Sequence, residues 1–188
     1  MLPAEVTKHR FTVEEYHKMG EAGVFGEDDR VELVDGEIVE MTPIGWRHVE
    51  AVDRIARLLW GWGEDRHRVS VQNPLVLHEY GEHQPDLMLF SEGFSRLSRL
   101  PEASDVLLVV EVADSSLSYD RAVKLPRYAA AGIPEVWIVD LTGSEGALEL
   151  YAHPQAGRYL VSRRYGPGDP VVSVTVEGLS LPVDEVLP

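Results

Sequence analysis

Residues 105–113, DVLLVVEVA, form a near-continuous apolar run after the opening aspartate, and only Glu111 interrupts it. Such a run is typical of a strand covered on both faces, because a strand with one exposed face alternates apolar and polar residues. A helical stretch, SYDRAVKLPRYAAAG, ends at Gly132, and a second apolar strand, EVWIVD, follows it. A strand, a helix and a strand joined by short links predict a right-handed crossover between two parallel strands. The chain therefore needs a sheet flanked by helices, which is an α/β fold.

The remaining strands are predicted from alternation and turn residues. Residues 30–41, RVELVDGEIVEM, alternate around an Asp-Gly pair, which predicts an N-terminal β-hairpin. The stretches RVSVQNPLVLHEY and PDLMLF are predicted as strands that turn at Gly81. Strands separated by Gly and Pro turns predict a β-rich extension over residues 148–188. We therefore expect one domain over residues 1–188, with a mixed central β-sheet flanked by helices.

Two further helices are predicted. Thr12 and Glu15 have capping-box spacing at the start of a short helix. Residues 48–62 show helical periodicity, and Pro126 should kink or divide the crossover helix. The residues of the second helix expected to face the core are Val49, Val52, Ile55, Ala56, Leu59 and Trp60.

Composition excludes several classes of protein. The 188-residue chain has no cysteine, so it has neither disulfides nor thiolate chemistry, and a cytoplasmic location is the simplest expectation. No apolar run approaches the roughly 20 residues that span a membrane, and no signal peptide opens the chain. A formal charge of -15 argues against a nonspecific nucleic-acid binder with a basic surface. The acidic charge does not exclude an enzyme whose metal site is built from acidic residues.

Glu111 is the first candidate site residue. By strand alternation it shares a face with Leu107, Val109 and Ala113. A buried carboxylate costs several kcal/mol unless it is paired, hydrogen-bonded or bound to a metal. The alternative is that Glu111 lies at the strand end and reaches solvent. The carboxyl ends of strands are also where ligands bind in open α/β sheets.

Other acids join Glu111 in this hypothesis. Asp86 opens the strand PDLMLF, and Glu32 lies in the first strand of the hairpin. If the strands of Asp86 and Glu111 are neighbours, the two carboxylates can face each other and need a positive charge between them. Oxygen ligands of this kind suit Mg²⁺ or Mn²⁺. Lys124, on the crossover helix, is the candidate cationic side chain, although it could equally be a solvent-facing lysine.

These motifs carry a resemblance to a known family. Pro-Asp, a spacer and Glu within an apolar strand resemble the PD-(D/E)XK nuclease superfamily. The wider pattern, most specifically the segment from residue 107 to residue 140, resembles the bacterial Uma-type restriction-endonuclease-like proteins over about residues 11–165. The resemblance implies a restriction-endonuclease-like core with Asp86 and Glu111 as metal ligands. It also implies an extra acid at Glu32.

The chain departs from the superfamily pattern at one position. Ala113 stands where the superfamily motif has lysine, and the resemblance implies that Lys124 substitutes for it. The resemblance also matches His48 to a histidine at the start of a helix, although such histidines more often cap or pack. His78 and His83 suggest a zinc site only weakly, because HEYGEH reads as a solvated turn. Tyr128 is expected to pack on the helix face rather than to bond to the site.

The sequence therefore predicts an Mg²⁺- or Mn²⁺-dependent endonuclease that hydrolyses phosphodiester bonds of DNA. A homodimer is expected, since cutting both strands of a duplex calls for two sites related by symmetry. Two alternatives stay open. One is a catalytically silent binding or scaffold module whose acids are only paired with lysine and histidine. The other is a hydrolase of small phosphodiester or nucleotide substrates.

Overall fold

The computed structural model describes residues 6–26, 28–63, 67–91, 94 and 99–188. The strands, in chain order, are β1 (Val31–Val34), β2 (Glu37–Glu40), β3 (Val69–Val71), β4 (Leu75–His78), β5 (Gly81–His83), β6 (Leu87–Phe90), β7 (Val106–Ala113), β8 (Glu135–Asp140), β9 (Ala147–Gln155), β10 (Arg158–Tyr165), β11 (Pro170–Val172) and β12 (Ser180–Pro182). The helices are α1 (Val13–Glu21), α2 (Trp46–Gly63), α3 (Leu117–Tyr119), α4 (Leu125–Ala131) and α5 (Val183–Val186). No helix in these ranges is long and apolar enough to cross a membrane.

The central sheet has the strand order β10-β9-β8-β7-β6-β3. Strands β7 and β8 are parallel, and the other neighbours are antiparallel, so the predicted mixed sheet and its crossover unit are confirmed. A second sheet has the order β2-β1-β5-β4, and β11 pairs with β12. The N-terminal hairpin therefore belongs to a sheet of its own beside the central one.

Apolar residues cover both faces of the central sheet. On one face, α2, β11, β12 and α5 pack against alternate residues of β7 such as Leu108 and Val110. On the other face, Tyr128 of α4 packs with Val109 and Ala113. Glu111 has the same alternation as Val109 and Ala113, so it lies on the face that α4 covers. Leu107 was expected on the same face as Glu111 but lies on the opposite face, because a register shift between β6 and β7 turns it there.

The turn of the N-terminal hairpin follows from the Asp-Gly pair. Asp35 has φ 51° and Gly36 has φ 83°, so both lie in the left-handed region that a tight hairpin turn requires. A Cβ at Gly36 would also lie 2.6 Å from Cβ of Arg10. The turn pairs Glu32 with Val39. It thereby fixes which residues of β1 face the interior.

The crossover helix contains a π-helical turn. Residues 117–131 are helical, but Asp120–Lys124 form a π turn in which the Leu125 N–H donates to the Asp120 carbonyl. Pro126 has no N–H to donate to residue 122, so a regular α-helical ladder cannot continue through it. The predicted division of this helix therefore takes the form of a π turn. Such turns are frequent at functional sites.

Three details of the sequence prediction are wrong. Val49 and Trp60 are 44% and 55% exposed, because they lie off the helical stripe that carries the buried residues of α2. The strand predicted through residues 68–80 is two strands in different sheets, since Gln72 has φ 47° and turns the chain between them. The hairpin between β4 and β5 turns at residues 79–80, just before Gly81.

The C-terminal segment is anchored to the central sheet by Glu135. This fully buried carboxylate accepts hydrogen bonds through Oε2 from the Ser173 hydroxyl at 3.0 Å and from the N–H groups of Val174 and Thr175, each at 2.9 Å. Its other oxygen accepts from Trp137 Nε1 at 2.6 Å. These bonds place the segment from β11 to α5 on the face of the sheet that α2 covers, whereas β9 and β10 of the predicted extension are strands of the central sheet itself.

Candidate active site

A cavity of about 320 Å³ lies beside the carboxyl end of β7, between a loop at residues 41–45 and the segment at residues 114–120. Its lining includes four of the five predicted site residues, all except Glu32: His48 of α2, Asp86 just before β6, Glu111 of β7 and Lys124 of the π turn. All four are at most 7% exposed. The cavity therefore gives a ligand access to charged groups that are otherwise buried. It lies at the strand end where ligands bind in open α/β sheets.

Asp86 and Glu111 lie side by side across two strands. Leu87 pairs with Val110 in the antiparallel β6–β7 ladder, so the same register places Asp86 opposite Glu111 on one face. Asp86 Oδ2 accepts a hydrogen bond from the N–H of Val112 at 2.8 Å. The two acids that the sequence analysis expected to converge are thus brought together.

Glu32 reaches the same place from the second sheet. Lys124 Nζ lies 3.0 Å from Glu32 Oε1 and 3.1 Å from Glu111 Oε1. Glu32 Oε1 also accepts from the N–H of Gln84 at 2.8 Å. Within the described residues Glu32 Oε2 is buried with no hydrogen-bond partner. The ammonium of Lys124 therefore sits between two buried carboxylates.

Burial and neighbouring charges govern the protonation of this cluster. Burial raises the pKa of Glu111 well above its usual range, and the charges of Asp120, Asp86 and Glu32 add to this effect, while Lys124 opposes it. Burial alone would lower the pKa of Lys124, but the charges of Glu111 and Glu32 outweigh burial and raise that pKa. Lys124 therefore stays protonated at neutral pH. Glu111 holds a proton more readily than an ordinary glutamate does.

His48 connects α2 to both strand ends. Its Nδ1 donates to the Val112 carbonyl at 2.9 Å, since a carbonyl can only accept, and its Nε2 lies 2.9 Å from Asp86 Oδ1. The Nε2–Oδ1 contact lacks the alignment of a hydrogen bond, so Nε2 is a buried polar atom without a hydrogen-bond partner among the described residues. Burial lowers the pKa of His48, but Asp86 and the Val112 carbonyl outweigh it, and the pKa is raised overall.

This raised pKa predicts how stability depends on pH. A histidine whose pKa is raised in the folded protein contributes stability fully below its unfolded pKa of about 6.5, and that contribution is lost as the pH rises through the folded pKa. We expect His48→Asn to lower the free energy of unfolding by about 1–2 kcal/mol near pH 6 and by less near pH 9. Urea denaturation of both proteins across this range measures the difference. His9→Asn, at an exposed histidine, is the control. A deficit that grows with pH would contradict the prediction.

Three further residues belong to the cluster. Asp120 is a buried carboxylate in the cavity wall and accepts from the Ser116 hydroxyl at 2.5 Å. Tyr128 is fully buried and donates to Glu111 Oε1 at 2.5 Å, so it bonds to the site as well as packing. The hydroxyl of Tyr119, which also lines the cavity, is buried with no partner in the described part of the chain. A visible signal for Asp120 was its place one helical turn before Lys124.

The weak zinc hypothesis finds no support. His83 is fully buried, and burial together with the charges of Lys124 and Arg127 lowers its pKa to about 3. The side chain of His78 is 43% exposed and lies 3.7 Å from Asp35. Across the described ranges no three His, Asp or Glu side chains are grouped as a ready metal site.

Comparisons with known proteins agree with this architecture. A family model named Uma2, described as "Putative restriction endonuclease", matches residues 13–184. The curated proteins gave no match. Among solved structures, the chain resembles a "putative nuclease" from Anabaena variabilis with a TM-score of 0.71 and 15% identity, covering 94% of this chain and 97% of that one. At that identity the likeness shows the fold, which is restriction-endonuclease-like.

Proposed function

The chain belongs to the Uma2 family of putative restriction endonucleases, and we propose from this that it is a metal-dependent endonuclease that hydrolyses phosphodiester bonds of DNA. The observation that carries the proposal is that Asp86, just before β6, and Glu111, near the end of the neighbouring β7, line one cavity that His48 also lines. We further propose that the chain acts as a single domain and as a homodimer, because two sites related by symmetry can cut both strands of a duplex.

The donor chemistry of the predicted ligands suits a hard divalent cation, whereas among the described residues their side chains are not grouped as a ready metal site. Asp86, Glu111 and Glu32 offer carboxylate oxygens, which are the donors that Mg²⁺ and Mn²⁺ prefer. Glu32 Oε2 is buried and has no partner in the described chain, a cost of about 1–3 kcal/mol that a bound cation would offset. When bound, such an ion stabilises charge on a phosphate and lowers the pKa of a water molecule.

Lys124 and His48 supply the remaining chemistry in this proposal. The Lys124 ammonium is held between Glu32 and Glu111, where it orients a water molecule and offsets the negative charge that develops on the phosphate. His48 holds a proton on Nδ1 for the Val112 carbonyl and presents Nε2 beside Asp86. Because its pKa is raised, it can carry a second proton on Nε2 and deliver it to the leaving oxygen.

One observation favours a second candidate, a catalytically silent module of the same fold. Glu32 and Glu111 are already paired with Lys124, and Asp86 is already beside His48. With a proton on Glu111, whose pKa burial raises, Lys124 and His48 can balance Glu32 and Asp86 without a metal. The silent module and the nuclease therefore differ in whether the acids bind a divalent cation.

Metal-dependent stability distinguishes the two. We expect Mg²⁺ or Mn²⁺ to raise the melting temperature of the native protein but not that of Asp86→Ala, because a ligand at a hundred times its Kd adds roughly 2.7 kcal/mol. Differential scanning fluorimetry measures the shift, and plasmid nicking with each metal or with chelator measures the activity. Asp114→Ala, which removes a different cavity carboxylate, is the matched control. A native protein without a metal response and without nicking would favour the silent module.

A further inference from the structure

The mouth of the cavity carries an arginine that forms no ion pair within the described part of the chain. Arg30 lines the cavity, is half-buried, and donates to the Thr42 carbonyl at 3.2 Å. Its positive charge is close enough to lower the pKa of His48. Among the described residues no carboxylate forms an ion pair with Arg30, whereas Arg121 and Arg164 are both paired with Glu149. Arg30 is therefore available to a phosphate.

The start of α2 borders the same cavity. Gly45 and His48 line the cavity, so the first turn of this 18-residue helix opens onto it. His48 Nε2 adds no free anion-binding group there, because it already lies 2.9 Å from Asp86 Oδ1. The unpaired positive charge at this place is therefore that of Arg30.

Apolar and aromatic surface adjoins this phosphate-binding position. Ile44, in the cavity wall, is 41% exposed, and Trp46, the first residue of α2, is 75% exposed. Exposed aromatic side chains are surfaces on which unpaired bases stack, and stacking contributes about 1–3 kcal/mol per base. A base that is paired inside a duplex does not offer its face to a side chain.

The depth of the acids also favours a single strand. Asp86 is 6% exposed and Glu111 is 3% exposed, so a scissile phosphate must enter a recess to reach them. A duplex is a stiff rod with a persistence length of about 50 nm, and it carries one charge per roughly 1.7 Å of its axis. A protein of charge -15 repels that density more strongly than it repels one flexible strand.

We propose that the cavity mouth binds a single-stranded DNA segment, with Arg30 holding a backbone phosphate and Trp46, the first residue of α2, stacking on a base. The inference rests on the proposed function and narrows its substrate to unpaired DNA. It makes Arg30 and Trp46 binding residues, outside the group of acids that carries the reaction.

The test compares strand forms and matched variants. In the Asp86→Asn protein with Mg²⁺, fluorescence anisotropy measures the Kd of a labelled 15-nucleotide strand and of the same strand in a duplex. We expect the single strand to bind at least about tenfold more tightly, and Arg30→Gln or Trp46→Ala each to weaken its binding about tenfold. The controls are Arg57→Gln and Trp60→Ala, both on the exposed face of α2, with changes below about twofold.

Two outcomes overturn the inference: equal or tighter binding of the duplex, or equal losses in the control variants. Cleavage by the protein that retains Asp86 separates this result from the proposed function. Metal-dependent nicking of duplex plasmid that is unchanged by Arg30→Gln and Trp46→Ala would leave the nuclease proposal standing and remove the single-strand inference. Single-strand binding through these two residues with no cleavage of either form would keep the single-strand inference and remove the nuclease proposal.

Discussion

Lys124→Met is expected to lower the free energy of unfolding by roughly 3–5 kcal/mol at pH 8, because it leaves two buried carboxylates without their shared cation. Lys124 is 2% exposed and lies within 3.1 Å of oxygens of both Glu32 and Glu111. Methionine fills much of the space of the lysine chain but supplies no charge. Urea denaturation of the purified variants measures the loss. A variant as stable as the native protein at pH 8 would contradict this reading of the cluster.

The dependence of that loss on pH identifies its cause. Without Lys124 the pKa of Glu111, already raised by burial, rises further, so the folded variant binds more protons than the unfolded chain. Stability then falls as the pH rises above the unfolded pKa, and the deficit of Lys124→Met should shrink between pH 8 and pH 5. Adding Glu111→Gln should recover part of the loss at pH 8.

A matched control tests whether any lysine would give this result. Lys18 forms an ion pair with Glu14 at 2.6 Å, but both side chains are more than 60% exposed. Lys18→Met should therefore leave the free energy of unfolding close to the native value. A loss at Lys18 comparable to the loss at Lys124 would mean that the effect does not come from burial.

The parts of the fold that depend on local chemistry could be predicted from the sequence. The capping box of α1 forms as Thr12 and Glu15 indicate, because each side chain has its partner within one turn. The apolar runs of β7 and β8 give the parallel pair, since only a covered strand can be apolar on both faces. The sequence predicted that Asp86 and Glu111 face each other only if their strands are neighbours, and β6 does lie beside β7.

The parts that depend on contacts distant in sequence could not be predicted. Nothing near Glu32 shows that its hairpin joins a separate sheet and presents this acid to Lys124, 92 residues away in the chain. The resemblance supplied that residue, and the strand pattern did not. Likewise, the hydrogen bond from Tyr128 to Glu111 depends on how α4 crosses β7. A helical pattern predicts which residues of the helix are buried but not which residues of the sheet they contact. Asp120 was missed although it lies one helical turn before Lys124, because nothing in the local sequence shows that the π turn buries it.

Asp86→Asn and Glu111→Gln are expected to reduce metal-dependent nicking of DNA by at least about 10²–10³-fold each, a loss typical for a group that stabilises developing charge. Each substitution keeps the shape of the side chain and removes the negative charge. Asp86→Asn can also turn its carboxamide oxygen to the Val112 N–H, so the β6–β7 contact need not be lost. Single-turnover nicking with protein in excess measures the chemical step apart from binding.

Asp114→Asn distinguishes loss of the two catalytic candidates from loss of any cavity charge. Asp114 lines the same cavity, but its side chain is 31% exposed and lies 3.7 Å from Arg47 rather than beside the other acids. We expect it to keep activity within about threefold of the native value, since exposed charged pairs contribute little. Nicking that persists in both Asp86→Asn and Glu111→Gln, prepared in parallel, would assign the activity to another protein or another site. Equal losses in all three variants would mean that activity depends on the total negative charge of the cavity. Asp86 and Glu111 would then have no separate role.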